Sequence, residues 1–128
     1  MISRRSVLAA LTSALPLTFM SKSSAATKIL VCPSSSVKLN KTMAFQGKDA
    51  SGNMFEIAIT RTKLGLFAYN AACTHAGCGT SPAGTKLNCP CHGSVFDGVT
   101  GKVLNGPANR SLVKLKVKES KGNIYLVG

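Results

Sequence analysis

The chain has 128 residues, of which 16 are Lys or Arg and 4 are Asp or Glu, so its formal charge is +12. This length predicts one domain with a modest core, and it excludes a large enzyme with a separate substrate domain. So few acidic residues make chemistry that needs two facing carboxylates, such as glycoside hydrolysis, improbable. The positive charge by itself is compatible with nucleic-acid binding, because basic proteins release phosphate counterions.

Residues 1–26 have the pattern of an export signal. Arg4 and Arg5 form a positive region, and an uncharged stretch rich in Ala and Leu follows over 6–21. The arginine pair and its neighbours resemble a twin-arginine signal, which exports proteins already folded. The alternatives are an ordinary secretory signal and an uncleaved segment that anchors the protein. Such an anchor would be weak, because a spanning helix needs roughly 20 apolar residues and the stretch at 6–21 is shorter. We therefore expect the protein on the periplasmic or cell-surface side of the membrane, either soluble or weakly tethered.

Residues 27–128 show no helical periodicity. Short alternating or apolar runs between turn residues predict an all-β, antiparallel domain, with candidate strands at 28–32, 42–46, 54–60, 66–69, 112–118 and 123–127. The clearest candidate alternates so that Val113, Leu115 and Val117 point inward and its three lysines point outward. This domain keeps a formal charge of +9, because three basic residues and no acidic ones precede it.

The pattern changes between 71 and 108, where Gly, Pro, Cys and His concentrate in predicted loops. Both histidines and four of the five cysteines lie there, in the segments Cys-Thr-His-Ala-Gly-Cys at 73–78 and Cys-Pro-Cys-His-Gly-Ser at 89–94. Loops on a rigid scaffold commonly carry function. We therefore expect the functional site in these segments.

Each segment offers one thiolate and one imidazole at a spacing that lets both reach a single metal, namely Cys73 with His75 and Cys89 with His92. One cysteine is left over in each segment, Cys78 and Cys91. A Cys2His2 zinc site uses the same ligand types. It explains neither the two additional cysteines nor the Cys-Pro-Cys-His-Gly-Ser sequence at 89–94. A nucleophilic Cys–His pair is a weaker alternative, because both histidines belong to the doubled motif.

These motifs resemble the Rieske iron–sulfur family, whose pattern is Cys-x-His followed by Cys-x-x-His. The resemblance implies one 2Fe-2S cluster, with one iron held by Cys73 and Cys89 and the other by His75 and His92. It also implies that Cys78 and Cys91 form the disulfide of the branch found in cytochrome bc-type complexes. A disulfide agrees with an exported protein.

For the fold, the resemblance implies an antiparallel β-sandwich of Rieske type with a loop-rich cluster-binding subdomain at about 71–108. The Gly106-Pro107-Ala108 sequence is similar to the proline loop that covers the cluster. Ser94 is expected to donate a hydrogen bond to the cluster. Phe96 departs from relatives of high potential, which carry Tyr there, so we expect a lower reduction potential and a lower-potential donor such as menaquinol.

For function, the resemblance implies an exported electron-transfer protein, most similar to the Rieske subunit of a respiratory cytochrome bc-type complex. Such a subunit oxidises quinol and passes the electron to a cytochrome c, and His75 and His92 would couple electron transfer to proton transfer. The alternatives are a small soluble exported carrier and the small subunit of a molybdenum enzyme similar to arsenite oxidase. A Rieske oxygenase is disfavoured, because the chain lacks the room and ligands for a mononuclear iron domain.

The expected partners are a cytochrome b- or c-type redox protein with an acidic docking surface, possible quinol, and a membrane surface. Nucleic acid is not expected, because the lysine-rich strand contains no aromatic residues on which bases could stack. Cys32 fits no part of the site. We interpret it as a buried thiol on a strand, with a lipid-anchor site as the alternative.

Overall fold

The computed structural model describes residues 28–75 and 77–128, so the predicted export signal at 1–26 lies outside the described residues. The described chain forms ten strands and one 3₁₀ turn, Ser34–Ser36. The strands are β1 (Lys28–Pro33), β2 (Lys41–Lys48), β3 (Met54–Thr62), β4 (Gly65–Asn70), β5 (Ser81–Ala83), β6 (Lys86–Asn88), β7 (Val95–Asp97), β8 (Val103–Asn105), β9 (Lys114–Ser120) and β10 (Asn123–Val127). A search of the described residues finds no helix with the length and apolar character needed to cross a membrane.

The strands form two antiparallel sheets. The larger has six strands in the order β1-β10-β9-β4-β3-β2, and the smaller has four in the order β5-β6-β7-β8. The predicted all-β, antiparallel fold is therefore confirmed. Each of the six candidate strands corresponds to a strand of the larger sheet. The segment predicted as loops contains the whole smaller sheet, whose strands have only three residues each.

Strand β3 is buried on both faces, because its residues from Ile57 to Thr60 are all inaccessible to solvent. Ile57 and Ile59 point into one core, where they meet Ile124 of β10. Ala58 points the opposite way, into a second core that the smaller sheet and the loops complete. This alternation follows from the two-residue period of a strand. The second core contains the cysteines of the predicted site, so β3 and β4 are the platform on which that site is built.

Strand β9 begins one residue after Val113, which corrects the predicted orientation of that side chain. Leu115 and Val117 pack against the core as predicted, but Val113 is 62% exposed. The Val113 carbonyl accepts a hydrogen bond from the Asn70 amide, at the end of β4. Val113 therefore belongs to the connection that enters the sheet, and the alternation starts only at Lys114.

Arg61 ties β3 to the 3₁₀ turn and to β9. Its guanidinium donates to the Val37 carbonyl at 2.7 Å, to the Ser34 carbonyl at 3.1 Å and to the Glu119 carboxylate at 2.8 Å. The hydrogen bond from Arg61 lowers the pKa of Glu119 below its ordinary value of 4.5. Charged donors make hydrogen bonds stronger than neutral ones, so this residue stabilises one end of the larger sheet.

Cys32 lies on β1 and is only 5% exposed, within the core of the larger sheet. Burial raises the pKa of its thiol, so the side chain stays protonated and unreactive. The interpretation as a buried strand thiol is confirmed, and a side chain in this position is inaccessible as a lipid-anchor site.

Candidate metal centre

Two loops at the same edge of the second core carry the predicted ligands. The first runs from β4 to β5 and contains Cys73, His75 and Cys78. The second runs from β6 to β7 and contains Cys89 and His92. Because β4 belongs to the larger sheet and β6 and β7 to the smaller, packing between the sheets fixes the position of one loop relative to the other.

The two loops close by the same backbone pattern. In the first loop the Cys73 amide donates to the Cys78 carbonyl at 2.7 Å, and the Gly77 amide donates to the Cys73 carbonyl at 2.7 Å. In the second loop the Cys89 amide donates to the Ser94 carbonyl at 2.7 Å, and the Gly93 amide donates to the Cys89 carbonyl at 3.0 Å. The fifth residue is glycine in both, with φ of 73° and 81°, values that L side chains rarely adopt.

This closure buries the cysteines and exposes the histidines. Cys73 is 2% exposed and Cys89 is 1% exposed, and both belong to the core formed with the smaller sheet. His75 and His92 are exposed, and their ring centroids lie 5.0 Å apart with the rings at 89° to each other. The structure therefore brings the two predicted cysteine ligands into one core and the two histidines together at the surface. In the described part of the chain, neither histidine joins these thiols in a set of three or more ligand atoms within 4.8 Å of one another.

A disulfide joins Cys78 to Cys91 and so links the two loops directly, as the resemblance implies. The two sulfurs of this bond and the Cys89 Sγ all lie within 4.8 Å of one another. These three sulfurs do not form a metal-binding set, because a disulfide sulfur is not a thiolate. The cross-link closes a loop of sequence separation 13, and the chain-entropy model gives it about 3 kcal/mol of stability.

A third segment, the Gly106-Pro107-Ala108 loop, packs onto the second ligand loop. Ser94 is fully buried, and its Oγ accepts a hydrogen bond from the Ala108 amide at 3.0 Å. The hydroxyl therefore keeps its proton available to donate elsewhere in the site. Gly106 has φ of 92°, and a Cβ there would lie 2.8 Å from the Gly93 carbonyl oxygen. Only glycine allows this close approach of the two backbones.

Thr74, between two predicted ligands, braces the first loop against the segment that follows the proline loop. Its hydroxyl donates to the Arg110 carbonyl at 2.6 Å, and the Arg110 guanidinium donates back to the Thr74 carbonyl at 3.3 Å. Arg110 is exposed and lies next to the histidine-bearing surface. It places a positive charge beside the loop that carries His75.

The floor of the site is aromatic. Phe96, which stands where relatives of high potential carry Tyr, is completely buried in the same core as Cys73 and Cys89. Tyr69 lies in this core too, and its hydroxyl donates to the Val99 carbonyl at 2.7 Å. Burial raises the pKa of Tyr69, with a smaller contribution from Asp97. Tyr69 thus fixes the turn after β7, which positions Phe96.

The structure brings the predicted site residues together in three groups. The two histidine rings contact each other, Cys73 and Cys89 lie in one core, and the sulfur of Cys89 lies close to the disulfide. Two features of the site were not predicted from the sequence, the shared closure of the loops and the bracing of Thr74. The first had a detectable signal, since each segment has Cys at its first position and Gly at its fifth. The second had none, because 36 residues separate Thr74 from Arg110.

Comparison with known families agrees with this geometry. Residues 27–118 match the family described as the Rieske [2Fe-2S] domain. Among curated relatives, the cytochrome b6-f complex iron-sulfur subunit of Synechococcus sp. strain WH7803 is 42% identical over 65 residues. Subunit 1 of the same type from Nostoc sp. strain PCC 7120 is 45% identical over 62 residues. These matches cover 49% and 47% of this chain but only 36% and 34% of the relatives, so the chain spans about a third of their length.

Solved structures have the same fold. The cyanobacterial plasma membrane Rieske protein PetC3 from Synechocystis PCC 6803 has a TM-score of 0.55 and 34% identity, covering 66% of this chain and 85% of that one. A ferredoxin from Sphingomonas yanoikuyae B1 has a TM-score of 0.62 at 24% identity, covering 80% of this chain and 99% of that one. The second likeness concerns the fold alone. The donor set of buried thiols and exposed imidazoles fits the cofactor that gives the matched family its description.

Proposed function

Because the chain belongs to the Rieske [2Fe-2S] domain family, we propose that it is an exported electron-transfer protein that works like the iron–sulfur subunit of a cytochrome bc-type complex. The observation that carries the proposal is the exposed pair of His75 and His92, 5.0 Å apart, in loops whose predicted ligand cysteines, Cys73 and Cys89, are buried. In this arrangement the histidines are the only predicted ligands open to a partner.

We assign Cys73 and Cys89 to one iron, and His75 and His92 to the other. A bound 2Fe-2S cluster with mixed thiolate and imidazole ligands supplies a one-electron couple of higher potential than an all-thiolate cluster. Cys73 and Cys89 lie where water is excluded, which suits thiolates bound to iron. The exposed imidazoles can exchange a proton with a bound donor, so His75 and His92 are placed to couple electron and proton transfer.

The exposed histidine surface suits a redox partner with an acidic docking surface. Arg110 lies beside this surface, bonded to the loop that carries His75. Complementary charge raises the rate at which such partners meet. The similarity to cytochrome b6-f iron-sulfur subunits supports a cytochrome b- or c-type partner and a quinol donor.

Export is supported by the arginine pair at Arg4 and Arg5 and by the disulfide, since structural disulfides persist in oxidising compartments. The test is cell fractionation of a double variant, Arg4→Lys with Arg5→Lys, compared with Lys22→Gln as the control. We expect only the arginine variant to lose the cluster-loaded protein from the exported fraction. Equal export of both variants would contradict the twin-arginine route.

The cluster assignment is tested on purified protein by iron and acid-labile sulfide content, visible absorption and electron paramagnetic resonance. His92→Ala should abolish the Rieske spectrum, whereas Lys102→Ala, an exposed residue in a neighbouring turn, should retain it. Bound zinc without sulfide in the wild-type protein would contradict the assignment.

The choice among complexes is tested by sequencing the mature N-terminus and by assaying electron transfer from a menaquinol analogue to a cytochrome c. Retention in membranes with a cytochrome b supports the cytochrome bc-type role. Cleavage before Thr27 without such retention would favour a small soluble carrier or the small subunit of an arsenite-oxidase-like enzyme.

A further inference from the structure

One face of the larger sheet combines lysines with exposed apolar side chains. It is formed by β1, β10 and β9, and we call it the lysine face. Its residues are Lys28, Leu30, Lys116, Lys118, Tyr125 and Val127. It is separate from the ligand loops, which connect other strands.

The strand register places these side chains in two rows across three strands. Lys28 pairs with Val127, which pairs in turn with Lys116. Directly paired residues of antiparallel strands point to the same side of the sheet, so this row has lysines at both ends and an apolar residue between them.

The second row has an apolar centre and one lysine. Leu30 pairs with Tyr125, which pairs with Lys118. Leu30 is 57% exposed, and the Lys28 ammonium lies 4.4 Å from the centroid of the Tyr125 ring. The residues between the two rows, such as Leu126 and Val117, point into the core. Because these inward side chains are held in the core, the side chains of the lysine face must point outward.

No lysine of this face forms an ion pair within the described part of the protein. Across residues 28–75 and 77–128, the structure forms one ion pair, between Arg61 and Glu119. Glu119 is the acidic residue nearest to the lysine face along β9, and this pair occupies it. The Asp49 carboxylate accepts hydrogen bonds from the backbone of Ser51 and Asn53. The lysines of the face are thus available to an external anion.

We propose that the lysine face binds the surface of an anionic phospholipid membrane. Lysine stems lie along apolar surface while their ammonium groups reach phosphates, and Tyr is enriched at the level of the headgroups. The apolar middle, formed by Leu30, Tyr125 and Val127, then contacts the boundary between headgroups and acyl chains.

A neighbouring groove favours lipid over an acidic protein as the occupant. It has a volume of about 430 Å³, lies where β4 and β9 diverge, and shares Lys116, Lys118 and Val127 with the lysine face. Apolar residues, among them Leu66 and Leu115, line the groove together with the lysines. A groove lined by both lysines and apolar residues matches a molecule with an anionic head and a hydrocarbon tail.

The first test measures how the full-length holoprotein binds vesicles of phosphatidylcholine with and without phosphatidylglycerol, at low and high salt. Each lysine near an anionic surface contributes about 1 kcal/mol, so the double variant Lys116→Gln with Lys118→Gln should lose roughly tenfold or more of the salt-dependent binding. The matched control, Lys63→Gln with Lys86→Gln, removes the same charge from exposed positions outside the face and should bind nearly as well as wild type.

Both double variants keep the N-terminal stretch with Arg4 and Arg5, so the difference between them in salt-dependent binding reports on the face alone. Equal binding to both kinds of vesicle, or equal losses in the two double variants, would overturn the proposal. It would also be overturned if the lysine-face variant bound anionic vesicles normally but transferred electrons more slowly to soluble cytochrome c, because the face would then dock a protein.

A second test uses the absence of tryptophan from the chain. Leu30→Trp places a single fluorophore in the face, and Leu64→Trp places one at a turn where the native side chain is 87% exposed. Anionic vesicles should shift the emission maximum of the first variant to the blue and leave the second unchanged. The opposite pattern, or no shift in either, would refute insertion of this face. The vesicle-binding and fluorescence readouts do not depend on the proposed redox partners, so the two proposals can fail separately.

Discussion

Replacing Ser94 with Ala separates the structural from the electronic role of one buried hydroxyl. The Ser94 Oγ is completely buried and accepts the Ala108 amide at 3.0 Å. Its removal leaves that amide without this partner, which costs about 1–3 kcal/mol of unfolding free energy. The same change removes the donor that we expect to reach a cluster sulfide.

The electronic effect follows from charge. Reduction adds a negative charge to the cluster, so a hydrogen bond to sulfide stabilises the reduced state more than the oxidised one. If the difference is about 1 kcal/mol, the one-electron potential falls by roughly 40 mV in Ser94→Ala, at 59 mV per tenfold change in equilibrium constant. Voltammetry of the purified holoprotein measures this shift, and denaturant unfolding measures the stability.

Thr80→Val is the matched control for this experiment. Thr80 is also a buried hydroxyl, but its Oγ1 donates its proton to the Ala71 carbonyl at 2.6 Å. Its loss should reduce stability and leave the potential within a few millivolts of wild type, since that proton is already committed to a carbonyl. A Ser94→Ala protein that lost stability without any fall in potential would refute the donor role.

Three further changes test other parts of the site and the fold. Phe96→Tyr should raise the potential by about 40 mV, because a hydroxyl in this buried position can donate to a cysteine sulfur; voltammetry showing no rise would contradict this. Gly106→Ala should destabilise the protein by about 1–3 kcal/mol, because its Cβ would collide with the backbone of the second loop; denaturant unfolding measures the loss. Glu119→Gln should have a lower free energy of unfolding than wild type at neutral pH. The difference between the two proteins should shrink as pH falls below 4.5 through the lowered pKa of Glu119, because protonation of Glu119 ends its pairing with Arg61. Unfolding curves that show the same difference across this pH range would contradict the reasoning.

Control variants isolate the cause in two of these cases. Gly84 also has a positive φ, 63°, but a Cβ there meets nothing within 4 Å. Gly84→Ala therefore measures the backbone strain alone, and Gly106→Ala should cost more. Phe67 packs at the margin of the same core, so Phe67→Tyr adds a hydroxyl without placing it among the buried ligands and should leave the potential unchanged.

The larger sheet was predictable because its strands are long enough to show a period. Strand β9 alternates over its first five residues, 114–118, and its lysines identify the outer face directly. Strands of three residues, such as β5 (Ser81–Ala83), contain too few positions to establish alternation. Val113 was misassigned for a related reason, since an apolar residue before a strand extends the pattern whether or not its backbone has entered the sheet.

The ligand loops were predictable from chemistry instead of periodicity. Cysteine and histidine are rare in this chain, so their concentration at 73–78 and 89–94 carried information that no hydropathy pattern supplies. The motifs do not predict the hydrogen bonds that hold the ligand loops in place. The bond between Ala108 and Ser94 joins residues 14 apart, and that between Tyr69 and Val99 joins residues 30 apart. Such contacts depend on how the two sheets pack, which local sequence does not encode.

The identical closure of the two loops makes the centre modular. The bonds that close each loop involve its first, fifth and sixth residues, and in neither loop do they involve the histidine. A designer can therefore exchange the coordinating side chains between these anchor points while the backbone keeps its shape. The same scaffold should accept cysteine in place of His75 and His92, so the accessible range of redox chemistry would be set by substitution at the two ligand positions that the closure leaves free.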